Sequence, residues 1–394
     1  MPGPGVYWFG KEEIEAVMEV MQGGYLFRYG NENDPKFLHK VFTLEKEFAK
    51  YCGVDFALAT SSGTSSLLVS LMALGLKPGD EVIVPAYTFV ATYSACIFAG
   101  LVPVLAEIDD SLSLDPSDIE RRITPLTKAI MPVHMLGNPC NMDEIMKIAR
   151  KHNLVVLEDS CQAAGASYKG KKAGTIGEIG AFSLNIFKII NSGDGGLVVT
   201  NNQQLYENAF GFHDQGHKPN RLGVEVGSRS VLGLNFRVNE ITAAVALAQL
   251  NKLDKLIEVL RGKRNKLKYL ISEARGFKFR MLNDSEGDCA TLSTVIFDTR
   301  EQALKVTKAL DSKTVDQSGW HVYANMEHVL RHLKKVGQPH SRGSYPKTDD
   351  VLSRSMNISI GVVDSGLGAG WGININSTDA EIEEKANQFI EACK

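Results

Sequence analysis

The chain has 394 residues, 44% hydrophobic and 23% charged, with a formal net charge of −3; this balance suits a globular protein of one large and one smaller domain and argues against a basic surface for nucleic acid. Six cysteines (Cys52, Cys96, Cys140, Cys161, Cys289 and Cys393) lie far apart without a CxxC or zinc spacing, so they read as reduced thiols and no metal is expected. No apolar run approaches membrane-spanning length, and "MPGPGVYWFG" lacks a basic region followed by an apolar stretch, so no membrane partner and a cytoplasmic location are expected.

From about residue 55 to about 210, strand-like and helix-like stretches alternate. "FALATS" (56–61), "EVIVPA" (81–86), "VPVLAEI" (102–108), "KAIMPVHM" (128–135), "LVVLED" (154–159), "IGAFSL" (179–184) and "GLVVTN" (196–201) are short apolar runs, and "TSSLLVSLMALG" and "MDEIMKIARKHN" are helical candidates between them. The alternation predicts an α/β fold with a mostly parallel central sheet covered by helices. Beyond residue 235, Leu247, Leu250, Leu253, Leu256 and Leu260 predict one long amphipathic helix leading into a second domain. There follow strand-like "TLSTVIFD", the helix "REQALKVTKALD", the loop-like "GQPHSRGSYPKTDD", strand-like "MNISIGV", and a last helix opened by a capping box of Thr378 and Glu381. These pieces predict a smaller α+β domain over 251–394, after an N-terminal segment and large domain over 1–250. The glycines of "GVVDSGLGAGWGI" are spaced by two with no βαβ unit following, so this segment reads as a mobile loop rather than a nucleotide fingerprint.

The candidate chemistry starts at "SLNIFKIINSGDGG", which sets Lys188 between apolar pairs before a glycine-rich turn. Such a lysine either snorkels to water or serves as an amine nucleophile whose proton is lost more easily in apolar surroundings. "ATSSGTSSLL" ends a strand and opens a helix with groups that converge on an anion, although Ser and Thr there also serve as plain N-caps. "LVVLEDSCQAAGA" brings Asp159 to the C-terminal end of an apolar strand, with Gln162 behind it. That carboxylate could cap a turn, bind a metal or pair with a protonated ring nitrogen. The order of the pieces favours the sharper readings. A phosphate-type turn, an aromatic in "PAYTFVAT", a strand-end acid and a lysine are the parts a pyridoxal phosphate enzyme needs.

Nearly end to end, the chain resembles the DegT/DnrJ/EryC1/StrS sugar aminotransferases on the fold-type I, aspartate aminotransferase-like scaffold. The blocks that carry the resemblance include "LEKEFAKYCGVDFALATSSGTSSL", "ALGLKPGDEVIVPAYTFVAT", "LVVLEDSCQAAGASYKGKKAGTIGEIGAFSL", "SGDGGLVVTNN" and "GLNFRVNEITAAVALAQLNKLD". The resemblance implies that Lys188 is the Schiff-base lysine and that Asp159 binds the pyridine nitrogen of pyridoxal 5'-phosphate. Gly63 and Thr64 would hold the phosphate through backbone N–H groups, and Ser183 would add a hydroxyl. Phe89 would stack on the ring and Gln162 would lie near its phenolic oxygen. Asn235, in "GLNFR", would complete the phosphate cup of the neighbouring subunit, which implies a homodimer with shared active sites.

The same resemblance implies transamination: an amino acid, with L-glutamate first and glutamine second, gives its amino group to a ketone or aldehyde on a sugar. A dehydrating group within the family carries histidine where this chain has Lys188. The segments "GGYLFRYGNEND" and "GFHDQGHKPNR" resemble the branch that aminates an oxidised 3-deoxy-octulosonate at its 8-position. An acidic acceptor of that kind would want Arg28, His217, Lys218 or Arg221 near the pocket mouth. Nucleotide-linked 3- or 4-keto-6-deoxy sugars and keto-cyclitols are the alternative acceptors. A non-catalytic protein that binds cofactor or sugar is the alternative of another class. A nicotinamide-dependent oxidoreductase is disfavoured because no GxGxxG follows the first strand.

Overall fold

A computed structural model describes residues 3–219 and 231–394. Nine strands fall in the first two hundred residues: β1 (Phe56–Thr60), β2 (Glu81–Pro85), β3 (Val102–Ala106), β4 (Thr127–Ile130), β5 (Val155–Asp159), the two-residue β6 (Ser167–Tyr168) and β7 (Lys171–Lys172), β8 (Ile179–Ser183) and β9 (Gly196–Thr200). All but β6 and β7 form one seven-stranded sheet in the order β1-β9-β8-β5-β4-β2-β3. The run from β3 to β8 is parallel, and β9 is antiparallel to both β8 and β1. Alternate residues of each strand serve opposite faces. Val82 and Val84 pack with Leu67 and Leu71 of the helix Gly63–Ala73, while Ile83, Ile130 and Val156 pack with Ile145 and Ile148 of the helix Met142–His152. The doubly covered sheet follows from strands that are apolar on both faces. β4 stops at Ile130, short of the expected end, and Pro132, which has no N–H to donate, follows almost at once.

The C-terminal part builds a three-stranded antiparallel sheet from β10 (Phe277–Phe279), β11 (Leu292–Phe297) and β12 (Ser355–Ser359). Phe389 of the last helix, Asp379–Cys393, packs edge-on to Phe277 with ring centroids 5.2 Å apart. Its start is the expected capping box: Thr378 Oγ1 accepts from the Glu381 N–H, and Glu381 Oε2 accepts from the Thr378 N–H at 2.6 Å.

Two expected elements differ. The long leucine-rich helix is two helices, Glu240–Leu250 and Leu253–Ile271, broken at Asn251 and Lys252. Leu250, Leu253, Leu256 and Leu260 nevertheless enter one core. The break is held by the N-terminal segment, where buried Glu13 bonds Lys252 Nζ at 2.7 Å and Gln249 Nε2 at 2.6 Å. The segment expected to be most loop-like contains the start of the helix Pro346–Ser353, with proline at its first position, where a missing N–H costs nothing. Among the described residues, no helix is long and apolar enough to cross a membrane.

Candidate active site

The C-terminal ends of the parallel strands open into a cavity of about 630 Å³. Seven of the residues singled out in the sequence line it: Gly63, Thr64, Phe89, Asp159, Gln162, Ser183 and Lys188.

Each is placed by local structure. Ser62 caps the helix Gly63–Ala73 by accepting from the Ser65 N–H at 3.1 Å, so the N–H groups of Gly63 and Thr64, which have no acceptor within the helix, remain at the cavity. Residue 63 must be glycine for this approach. A Cβ there would lie 2.6 Å from Ser183 Cβ and 2.9 Å from its Oγ. Asp159, the last residue of β5, is nearly buried; its Oδ1 accepts from the Cys161 N–H at 3.1 Å and its Oδ2 from Thr92 Oγ1 at 2.8 Å. Thr92 is in turn bonded to Thr88 at 2.7 Å, so two hydroxyls fix the carboxylate's orientation. Gln162 Oε1 accepts from the Leu136 N–H at 2.9 Å, which holds the amide at the cavity wall.

Lys188 sits in the turn between β8 and β9. Burial pushes its ammonium below the ordinary lysine range, against the opposing influence of Cys161, Asp159 and Asp364. The turn is braced from the N-terminus, since the Gly3 N–H donates to Ile186 O at 2.8 Å and a Cβ on Gly3 would strike Lys188 O at 2.4 Å. Burial also raises the thiol of Cys161 well above its ordinary value, which keeps it protonated beside the lysine.

Among the cavity residues that the sequence reading missed are Thr88 and Thr92, described above, and Trp320, His321 and Asp364 from the C-terminal part. No local pattern marks the last three. A segment of the C-terminal part reaches them by pairing with the chain that leaves β2: Thr88 N–H donates to His321 O at 2.9 Å, Val90 N–H to Trp320 O at 3.0 Å, and Tyr323 N–H to Ala86 O at 3.2 Å. This pairing sets the His321 ring 5.3 Å from the ring of Phe89. Burial, reinforced by Lys188, pushes His321 down to about 3, so its ring is neutral. The glycine-rich segment expected as a mobile loop is folded back on itself, with Asp364 and Ala369 paired and a short 3-10 turn at Ser365–Leu367 against the cavity.

The expected acceptor ligands are not brought together. Arg28 is corrected outright: its side chain has no exposed surface and is spent on Glu45, with both carboxylate oxygens at 3.1 Å, and on His213 Nε2 at 2.9 Å. His217 and Lys218 follow the helix Gln203–His213 and do not line the cavity, and Arg221 lies outside the described residues. Asn235 is exposed and does not line its own chain's cavity; it pairs with Asp214, and the next residue, Phe236, accepts at its carbonyl from the Ser61 N–H at 2.8 Å.

Residues 9–363 match the DegT/DnrJ/EryC1/StrS aminotransferase family. The chain belongs to that family. Over 243 residues it is 44% identical to the GDP-perosamine synthase of Caulobacter vibrioides, a match covering 61% of this chain and 62%, less than two thirds, of that relative. The GDP-perosamine synthase of Vibrio cholerae is 35% identical over 322 residues, covering 80% of this chain and 83% of the relative. Among solved structures, 3-amino-5-hydroxybenzoic acid synthase superposes with a TM-score of 0.82 at 26% identity, covering 98% of this chain and 96% of the other. The family membership and this likeness give the fold-type I transferase architecture that the alternating strands and helices predicted.

Proposed function

We propose that this family member is a pyridoxal phosphate-dependent aminotransferase that moves an amino group from an amino acid, L-glutamate first, to the keto group of a nucleotide-linked sugar. The observation that carries this reading is the convergence of Lys188, Asp159 and the start of the helix Gly63–Ala73 on one cavity. The residues suit the cofactor's three poles. A cradle that a Cβ at Gly63 would fill, two helix-end N–H groups and the Ser183 hydroxyl suit a phosphate. Asp159, already oriented by Thr92, suits a protonated ring nitrogen, and Lys188 suits an aldehyde carbon.

When bound, pyridoxal phosphate supplies that aldehyde carbon for amine exchange and a protonated ring that takes up electron density. Lys188 would hold the cofactor through its aldehyde carbon and, as a free amine, would serve as the base for the proton at the donor's α-carbon. A pKa lowered by burial leaves more of the amine unprotonated for that transfer. Asp159 would keep a proton on the ring nitrogen, and Phe89 would cover one ring face. Asn235 serves the partner's phosphate cup in a homodimer, a role supported by its exposure and by exposed Leu232 and Leu234 beside it.

The nucleotide-linked acceptor is supported by the names of the two synthases described above. The octulosonate reading stands second, because Arg28, the arginine it drew on within the described residues, is committed to Glu45. The test is the visible spectrum of the cofactor-loaded enzyme before and after L-glutamate, with Lys188→Ala alongside. The parent's absorbance should convert and that of Lys188→Ala should not. A parent that binds cofactor yet responds to neither glutamate nor glutamine would favour the non-catalytic binder.

A further inference from the structure

Arg280 follows β10 directly and does not line the cavity, yet its almost wholly buried side chain is bonded to the cavity wall. Nη1 donates to Met135 O at 3.1 Å, and Nη2 donates to Leu136 O at 3.0 Å and to Asp288 Oδ2 at 3.3 Å. Asp288 is fully buried and also takes Arg264 Nη1. Satisfying that carboxylate accounts for one arginine. With a second cation on it, positive charge is left over, and the carbonyls of Met135 and Leu136 receive it. Fastening the C-terminal part to this turn does not call for a charge either, since the Cys289 N–H donates to Gly137 O at 3.0 Å and Asn138 Nδ2 to Met281 O at 3.0 Å.

The peptide held in this way is one the cavity uses. Met135 O and the Leu136 N–H belong to the same peptide unit, and that N–H donates to Gln162 Oε1 at 2.9 Å. Leu136 lines the cavity in the left-handed conformation, φ 56° and ψ 32°, which is costly for a residue with a Cβ and needs outside support. Because the amide oxygen of Gln162 is committed to Leu136, its other end, the Nε2 donor, is the one left for the cavity. None of the described residues accepts from it.

We propose that Arg280 is a positioning residue for Gln162, a role that rests on the pyridoxal phosphate reading of the site. The guanidinium at Met135 O polarises the peptide whose N–H fixes Gln162 Oε1, and successive hydrogen bonds of this kind strengthen one another. Gln162 Nε2 is thereby held as a donor toward the phenolic oxygen of the cofactor. A donor there favours the form in which that oxygen carries an unshared negative charge, so its loss moves the cofactor's titration to higher pH.

The visible absorbance of the cofactor-loaded enzyme, titrated against pH, reads this directly. Gln162→Ala should raise the midpoint by about one pH unit, the size of one hydrogen bond to a charged oxygen. Arg280→Lys keeps a cation but not the fork that spans two carbonyls and a carboxylate, and Arg280→Gln keeps a donor without the charge. Asp288 retains Arg264 in both variants, so neither leaves a buried carboxylate unpaired. Each should raise the midpoint by part of the Gln162→Ala shift, and neither should move it further in the Gln162→Ala background. An unmoved midpoint in Gln162→Ala or in both Arg280 variants overturns the proposal and leaves the cofactor reading standing. An Arg280 shift of equal size with and without Gln162 overturns it too, because the arginine would then act by another route. A parent whose spectrum is that of free cofactor at every pH sinks the cofactor reading, and this role with it.

Discussion

A buried guanidinium needs partners on most of its N–H groups. Arg28 finds Glu45 and His213, with the rings of Tyr29, Phe42 and Phe210 each within 5.4 Å of its charge centre. His213 is fixed as the neutral acceptor, because its Nδ1–H donates to Phe210 O at 2.6 Å and its Nε2 takes the Arg28 N–H. Glu45 also accepts from the Ala59 N–H at 2.8 Å, which ties the cluster to β1 and so to the turn at Ser61–Gly63. Removing one member leaves an uncompensated buried charge. Arg28→Met should therefore lower stability by about 3–5 kcal/mol in urea unfolding, with a smaller loss when combined with Glu45→Gln. At Asp159 the loss should appear in catalysis. On the proposed function, Asp159→Asn should keep the fold and lower kcat by roughly 100-fold or more, since it would remove the charge that faces the cofactor's ring nitrogen.

The helix termini carry their own signals. Thr378→Ala should cost about 1 kcal/mol in thermal or urea unfolding, because both halves of the capping box at the last helix depend on it. That cap was readable from Thr378 and Glu381 alone, as were the large-sheet strands whose apolar runs announced them. The break at Asn251 was not. Leucines at three- and four-residue spacing continue across it because both helices present them to one core, so periodicity carries no sign of the kink. The same logic separates the parts of the active site. Gly63 and Asp159 lie at a helix start and a strand end, and Lys188 in the turn that joins β8 to β9, where sequence context states their geometry. Trp320 and His321 arrive through a backbone pairing with residues 86–90, more than 200 positions away, which leaves no local trace. Arg28 was misread because its aromatic, polar surroundings resemble a surface loop, while its counter-charge, Glu45, sits on a different element.

Across the whole molecule, that pairing of residues 320–323 with the chain after β2 binds the C-terminal part to the sheet at the mouth of the cavity. It also buries His321, which, like His213, is pushed down to about 3 from 6.5, chiefly by burial. At these two histidines the unfolded chain binds more protons than the folded one between those values. The contribution of these two histidines to stability should thus be fully present above about pH 6.5 and fall as the pH drops toward 3, by up to about 1.4 kcal/mol per pH unit for each. Urea midpoints at pH 7 and pH 5 check this, and His321→Asn should shrink the difference between them.

The Gly3 amide donates to the carbonyl of Ile186 at 2.8 Å, and the backbone carbonyl of Ile189 would lie 2.6 Å from a Cβ on Gly5. Residues 3–5 are thus a strut under the lysine turn. For anyone substituting residues in this protein, Gly3 and Gly5 therefore count as part of the lysine turn and not as a free end.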